Sequence, residues 1–398
     1  MITLHCLSVP HTKTTREYSA CAFTQKVLKF LEMFKDSKEY RTVHYGHPES
    51  QTSAHEQVDV LSNAILDQTY GGHDWKKNQF KFSSDDLAHQ VYNLVAGDLI
   101  KKRKNKGDFV LAFWGGTRGA TEIANADDDL VVVEPGIGSG SAFAPFRCYE
   151  SYPLISAFYG VQGVSFCRPK WHWRVVPNYF DVRDFAAPAT REDYAVYVGR
   201  IGENKGVHIA IDACARAGVK LKIAGQGGPE SLGLQKFPDH CEFLGYVGIE
   251  ERKQLFARAK FGFLLSQYWE PFGGTAIEMM LSGCVPIVTD FGAMTEYVVD
   301  GANGFRIMSM RDILFAINNI DKIDRAAMVT FARENFSLAS VKPKFERAFH
   351  DFAETKFGGG WYGDAPSRWT TGYGLDYFAL NRSNLLNTHG DELEYPKQ

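Results

Sequence analysis

The 398-residue chain has no Cys-x-x-Cys pair, no internal repeat, no marked charge excess, and no apolar run of the roughly 18 residues a membrane span needs. Each absence removes a class of protein. The seven cysteines are scattered and odd in number, so neither a disulfide framework nor a zinc site is indicated. Cys214 and Cys284 lie in apolar segments, where a thiol serves as a small hydrophobe. Nothing is expected to cross a membrane, and Met1-Ile2-Thr3-Leu4-His5-Cys6-Leu7 reads as a first strand rather than a signal peptide. A formal net charge of −3 leaves no basic footprint for nucleic acid. The one cationic run, Lys101-Lys102-Arg103-Lys104-Asn105-Lys106, reads as a solvated helix end. A contact with an anionic membrane surface is the minority reading and has no other support. With scattered cysteines and an opening segment read as a strand, a reducing, cytoplasmic-type compartment is expected.

Hydrophobic residues make up 44% and charged residues 23%, a globular balance. The length suits two α/β domains of about 180 residues each. In the first half a strand over 2–9 ends in the turn Val9-Pro10-His11-Thr12, and Phe23, Val27, Phe30, Leu31 and Phe34 recur at helical spacing. Apolar strands at Phe109–Phe113 and Leu130–Val133 each run into a glycine-rich turn, Trp114-Gly115-Gly116 and Glu134-Pro135-Gly136-Ile137-Gly138. Continuous apolar strands suit a covered parallel sheet, whose ligands sit beyond the carboxyl ends of its strands.

After a Pro-, Ala- and charge-rich stretch the alternation sharpens. Strands are expected at 194–199, 219–224, 242–246, 261–265 and 285–289, with helices at 207–217, 249–260 and 274–282. The expected architecture is α/β with two Rossmann-like domains. The first spans 1–180, a linker spans 181–193, and the second domain spans 194–350. Residues 351–398, a helix end and an aromatic, glycine-rich tail, either pack back on the first domain or stand free of it.

The strongest local pattern is Glu270-Pro271-Phe272-Gly273-Gly274-Thr275-Ala276-Ile277-Glu278, two carboxylates eight positions apart around a strand-to-helix turn. Its glycines let backbone approach a ligand closely, and the helix that starts there offers free N–H groups and a positive dipole end to an anion. Glu270 in the loop is expected to face a sugar, and Glu278, read as lying in the first turn, a ribose. A second turn, Gly199-Arg200-Ile201-Gly202-Glu203-Asn204-Lys205-Gly206, carries two cations able to neutralise a diphosphate, one by a fork and one as a point charge. Fixed cations and a helix end would then do what a divalent metal does elsewhere. Neither a metal nor another cofactor is expected.

Together these segments resemble the family 4 glycosyltransferases, retaining enzymes of the two-lobed GT-B fold with the donor cleft between the lobes. The resemblance is close from Val175 to Phe305 and looser to about Phe352. It also includes Val176-Pro177-Asn178-Tyr179-Phe180-Asp181, Ile223-Ala224-Gly225-Gln226-Gly227-Gly228-Pro229, Phe243-Leu244-Gly245-Tyr246-Val247, Gly283-Cys284-Val285-Pro286-Ile287-Val288 and Gly292-Ala293-Met294-Thr295-Glu296. It implies transfer from a nucleoside-diphosphate sugar to a glycan or glycoconjugate acceptor. Arg200 and Lys205 would hold the diphosphate, Glu270 would contact the sugar, and Glu278 would bind the ribose hydroxyls. Phe272, Gly273, Gly274 and Thr275 would offer contacts along the turn, with Gly199 and Gly225 close by and Tyr246 and Val247 near the base. The family often has paired glycines where this chain has Val9-Pro10-His11-Thr12, so a backbone contact there is altered.

In the first domain the resemblance is faint. His11, Trp114, Gly115, Glu134, Gly136 and Gly138 are acceptor-side candidates because they fall at strand ends. Trp171-His172-Trp173 reads as a hinge cover rather than a sugar platform, and Asp127-Asp128-Asp129 as a solvated turn. Three other readings stay open: a nucleotide-sugar epimerase, a non-catalytic nucleotide-sugar binder on the same fold, and a nicotinamide-dependent oxidoreductase. The last lacks a complete Gly-x-Gly-x-x-Gly turn, since Gly136-Ile137-Gly138-Ser139-Gly140 misses the third glycine at the right spacing.

Overall fold

The computed structural model describes residues 1–138, 142–161, 163 and 170–359. The chain forms two compact units. The first holds β1 Ile2–Leu7, β2 Tyr40–Gly46, β3 Glu56–Asp59, β4 Phe109–Ala112, β5 Val131–Ile137, β6 Phe146–Tyr149 and β7 Arg174–Val175. These make one parallel sheet in the order β3-β2-β1-β4-β5-β6-β7. The second holds β8 Tyr194–Val198, β9 Lys220–Ala224, β10 Cys241–Phe243, β11 Phe261–Leu264, β12 Val285–Thr289 and β13 Phe305–Ile307. It too is all parallel, ordered β10-β9-β8-β11-β12-β13. Central strands such as β4, β11 and β12 are buried on both faces, as their unbroken apolar runs require. In each sheet the strand order reverses beside the first strand, between β1 and β4 and between β8 and β11. Such switch points open a crevice at the carboxyl ends.

Three expectations are corrected. The second unit begins at Phe180, and the stretch expected as a linker belongs to it. The Phe180 N–H bonds the Phe336 carbonyl at 2.8 Å, its ring stacks on Phe272, and Asp181 caps the short helical turn Val182–Asp184. The second unit also ends early, at Ser337, because the helix Leu338–Phe357 returns to the first. Val341, Phe345, Phe349 and Phe352 form its apolar stripe. Phe345 and Phe349 meet Phe30 and Phe34 of the helix Ala22–Phe34, while Asp351 pairs with Arg174 at 2.8 Å. Residues 351–359 thus sit on the first unit, and the rest of the expected tail lies outside the described residues. Finally, Glu134, Pro135 and Gly136 are not a turn; β5 continues through them. The β5–β6 register shifts between Glu134 and Ile137, and such an irregularity accommodates a proline that has no N–H for the ladder.

The returning helix predicts a large stability effect. Phe349 is fully buried among five other aromatic rings in the first unit's core, those of Phe30, Phe34, Tyr40, Phe109 and Phe345. Phe349→Ala is expected to cost about 3–5 kcal/mol, read as a shift of the urea midpoint at unchanged slope. A loss below about 1 kcal/mol would mean the helix contributes little to this core.

Candidate donor site

In the second unit the switch point gathers the loops after β8 and β11. The β8 loop starts at Gly199 and holds Arg200; its short helical turn Glu203–Lys205 leads into the helix Val207–Ala217. The β11 loop runs from Leu265 to Gly273, where the helix Gly274–Leu281 begins. The two are tied directly, since the Gln267 N–H bonds the Asn204 carbonyl at 2.8 Å. That tie brings Lys205 to Glu270 across 65 positions of sequence, Nζ to Oε1 at 2.6 Å. Glu270 is only 6% exposed, so its charge needs partners. A second one is Ser266, whose hydroxyl donates to the same Oε1 at 2.6 Å. The Lys205 ammonium also donates to the Tyr268 hydroxyl.

Arg200 is exposed. The hydroxyl of Tyr197, on β8, donates to the Arg200 carbonyl at 2.8 Å and fixes the loop. Arg200 precedes Lys205 in the same loop. The structure therefore brings Lys205 and Glu270 together, with Arg200 on the loop that carries Lys205.

Backbone form follows the glycines. Gly273 takes φ 78° as the residue before the helix, a left-handed conformation that favours glycine. The carbonyls of Phe272 and Gly273 accept from the Tyr297 hydroxyl at 2.5 and 3.0 Å. The Phe272 ring is buried, so the loop can offer a ligand only its main-chain N–H groups there. Thr275 lies in the helix's first turn, where N–H groups have no intrahelical acceptor. Gly225 follows β9 and bonds the Gly245 carbonyl at 2.8 Å, linking the loops after β9 and β10.

The position of Glu278 is corrected. The helix starts at Gly274, so Glu278 opens its second turn, and no acidic residue occupies the first. It cannot be there merely to satisfy the dipole, an effect confined to the terminal turn. Its Oε2 lies 3.5 Å from the Arg252 Nε. Arg252 belongs to the helix Ile249–Arg258, which begins just after Tyr246 and Val247. The positions read as base-side and ribose-side are therefore neighbours through one helix.

The first unit's candidates divide. His11 and Trp114 follow β1 and β4, so both stand at that sheet's switch point, their rings 5.5 Å apart edge to face. Phe82 stacks on His11 at 4.6 Å, and burial first, then the neighbouring His89, lowers the His11 pKa to about 3, leaving the ring neutral. The Trp114 indole donates to His89, which is held in turn by Asp86 at 2.8 Å. Gly115 opens a short helical turn behind Trp114. Glu134 lies inside β5, where its Oε2 accepts the Phe143 and Ala144 N–H groups at 2.8 Å each; burial lifts its pKa to about 6. The Gly136 carbonyl accepts from Lys26, which is buried in an ion pair with Glu150 near Gly138. Trp173 is core, with its indole donating to the Pro145 carbonyl at 3.1 Å. Asp127, Asp128 and Asp129 form a turn that pairs with Lys104 and Lys356.

Sequence reasoning missed Ser266, Tyr268 and Arg252. Ser266 and Tyr268 precede Glu270 by four and two positions, a local signal that was present in the chain; Arg252 gave none. Among the described residues, no cluster of three or more His, Cys, Asp or Glu side chains is arranged to hold a metal ion, and no helix is long and apolar enough to cross a membrane.

Residues 181–323 match the family model described as glycosyl transferases group 1. Glycogen synthase of Mycobacterium tuberculosis is 34% identical over 132 residues, 30% of this chain and 32% of that protein. Mannosylfructose-phosphate synthase of Agrobacterium fabrum is 30% identical over 208 residues, 44% of this chain and 40% of that protein. The chain thus spans between 32% and 40% of the length of these relatives. Among solved structures, AviGT4, a glycosyltransferase involved in avilamycin A biosynthesis, aligns over 89% of this chain and 98% of its own, with TM-score 0.64 and 15% identity. Anabaena Alr3699/HepE, solved in complex with UDP and glucose, aligns over 88% of this chain and all of its own, with TM-score 0.62 and 14% identity. At such identities the likeness is one of fold.

Proposed function

From the match of residues 181–323 to the glycosyl transferases group 1 model, we propose that the chain is a glycosyltransferase of the family 4 type. In this reading it moves a sugar from a nucleoside-diphosphate donor to an acceptor hydroxyl, with retention and without a metal. The observation that carries the reading is the meeting of Lys205 with Glu270 at the second unit's switch point, beside Arg200 and the helix end at Gly274. The donor diphosphate lies against Arg200, Lys205 and the free N–H groups of that helix. The ribose hydroxyls reach Glu278, whose Oε2 Arg252 holds. As the anomeric C–O bond loosens, negative charge grows on the departing diphosphate, and the fixed cations stabilise it. The acceptor oxygen arrives on the same face and gives its proton to the leaving phosphate oxygen, so no carboxylate nucleophile is needed. Glu270 acts in the opposite sense and balances the Lys205 charge before the diphosphate binds. Solved Anabaena Alr3699/HepE with UDP-glucose supports a nucleotide-sugar donor by likeness of fold.

The test is donor consumption against a panel of UDP-, GDP- and ADP-sugars in excess chelator, with the product anomer read by proton NMR. Activity is expected to persist in chelator and to keep the donor's anomeric configuration. Activity lost in chelator and restored by manganese, or an inverted anomer, would contradict this mechanism.

A further inference from the structure

We propose that Tyr268 is the positioning residue for the Lys205 ammonium, holding it between Glu270 and the donor diphosphate. The inference rests on the donor-site reading above. A lysine is a point charge on a flexible four-carbon stem, so its placement depends on its neighbours. Its ammonium has three protons. One goes to Glu270 Oε1 at 2.6 Å and one to the Tyr268 hydroxyl, and the third stays available to a ligand. The Tyr268 ring also lies under the ammonium, 4.4 Å from Nζ to centroid. With Glu270 as its single anchor, Lys205 would be free to turn wholly onto the carboxylate. A second, neutral anchor fixes the direction of the remaining proton.

Tyr268 suits this role for three reasons. It sits two positions before Glu270 on the same loop and takes a Lys205 proton through its hydroxyl, while Ser266 donates to the Glu270 oxygen that Lys205 also reaches. Burial, and then the Glu270 charge, hold its phenol well above the ordinary range, so it adds no negative charge to repel a diphosphate. Its backbone is moored where it must be, because the preceding Gln267 N–H is bonded to the turn that carries Lys205.

The experiment is a double-mutant cycle on the full chain. Calorimetric titrations with UDP, GDP, ADP and base-free inorganic pyrophosphate would compare the wild type, Tyr268→Phe, Lys205→Ala and the double variant. Tyr268→Phe keeps the ring and removes only the hydroxyl. It is expected to weaken every probe that binds the wild type by about tenfold, the size of one hydrogen bond to a charged group. In the Lys205→Ala background the same change should have no further effect, because the ammonium it positions is gone. Unaltered binding by Tyr268→Phe, or equal weakening with and without Lys205, would overturn the positioning role and leave the donor site standing. A wild type that binds none of the four probes overturns the donor site and this inference together.

Discussion

Arg200→Ala is expected to lower kcat/KM for sugar transfer by about 100- to 1000-fold, the usual cost of removing one fixed donor to a developing negative charge. Thermal stability should hardly change. Arg200 is exposed, and it is the carbonyl of this residue, not its guanidinium, that the Tyr197 hydroxyl grips. An exposed side chain of this kind is worth no more than about 0.5 kcal/mol to folding. Steady-state kinetics and calorimetric unfolding of the same preparation separate the two effects. Arg200→Lys should recover only part of the loss, since an ammonium keeps the charge but not the two-pronged fork. Full activity in Arg200→Ala would remove the guanidinium from the mechanism. A fall in melting temperature that matches the fall in activity would make its role structural.

Gly225→Val is expected to act in the opposite way, destroying fold before chemistry. Gly225 has φ 150°, and a Cβ there would lie 1.7 Å from the Gly199 carbonyl oxygen, which is backbone and has no rotamer to retreat into. The Gly225 N–H is meanwhile committed to the Gly245 carbonyl, so the loop cannot swing aside without breaking its tie to the loop after β10. The substitution should cost the second unit about 4–5 kcal/mol, seen as loss of cooperative unfolding or of soluble protein. Gly218→Ala is the matched control. It caps the helix Val207–Ala217 at φ 67° with nothing within 4 Å of an added Cβ, so it should cost only the left-handed penalty of about 1–2 kcal/mol. Equal losses at the two positions would show that conformation, not the approach of two loops, makes Gly225 necessary.

Much of the second unit was legible because its signals are local. Its strands are short apolar runs, each followed within a few residues by the loop that carries chemistry. The strand at 285–289 and the helix at 207–217 lie where periodicity puts them, and the other expected strands are off by one to three residues at an end. Arg200, Lys205, Glu270 and Glu278 all fall within such strand–loop–helix segments. Contacts closed by tertiary structure were not legible. Arg252 reaches Glu278 from a different helix, with no spacing rule to announce it. Tyr268 gains meaning only when Lys205 folds against it.

The first unit hides more, because several of its buried strands carry polar residues. In β2, Thr42 and His44 are buried, with Thr42 bonded to His55 and the His44 Nε2 to Thr14, so the strand does not read as apolar. The half-buried β3 alternates over only four residues. Pro135 and Gly136 read as a turn because those residues usually make one; the register shift that admits them into β5 leaves no mark in the sequence. The helix Leu338–Phe357 was read as a helix only at its end, and its apolar stripe could have served either core. Only the matching aromatic face at Phe30 and Phe34 decides it.

The most direct test is a crystal structure of the full chain with UDP, or with whichever nucleoside diphosphate raises its melting temperature most. The account predicts diphosphate oxygens within hydrogen-bond distance of the Arg200 guanidinium and the Lys205 ammonium, with the ribose against Glu278. A diphosphate bound elsewhere, out of reach of both the Lys205 ammonium and the Arg200 guanidinium, would contradict it.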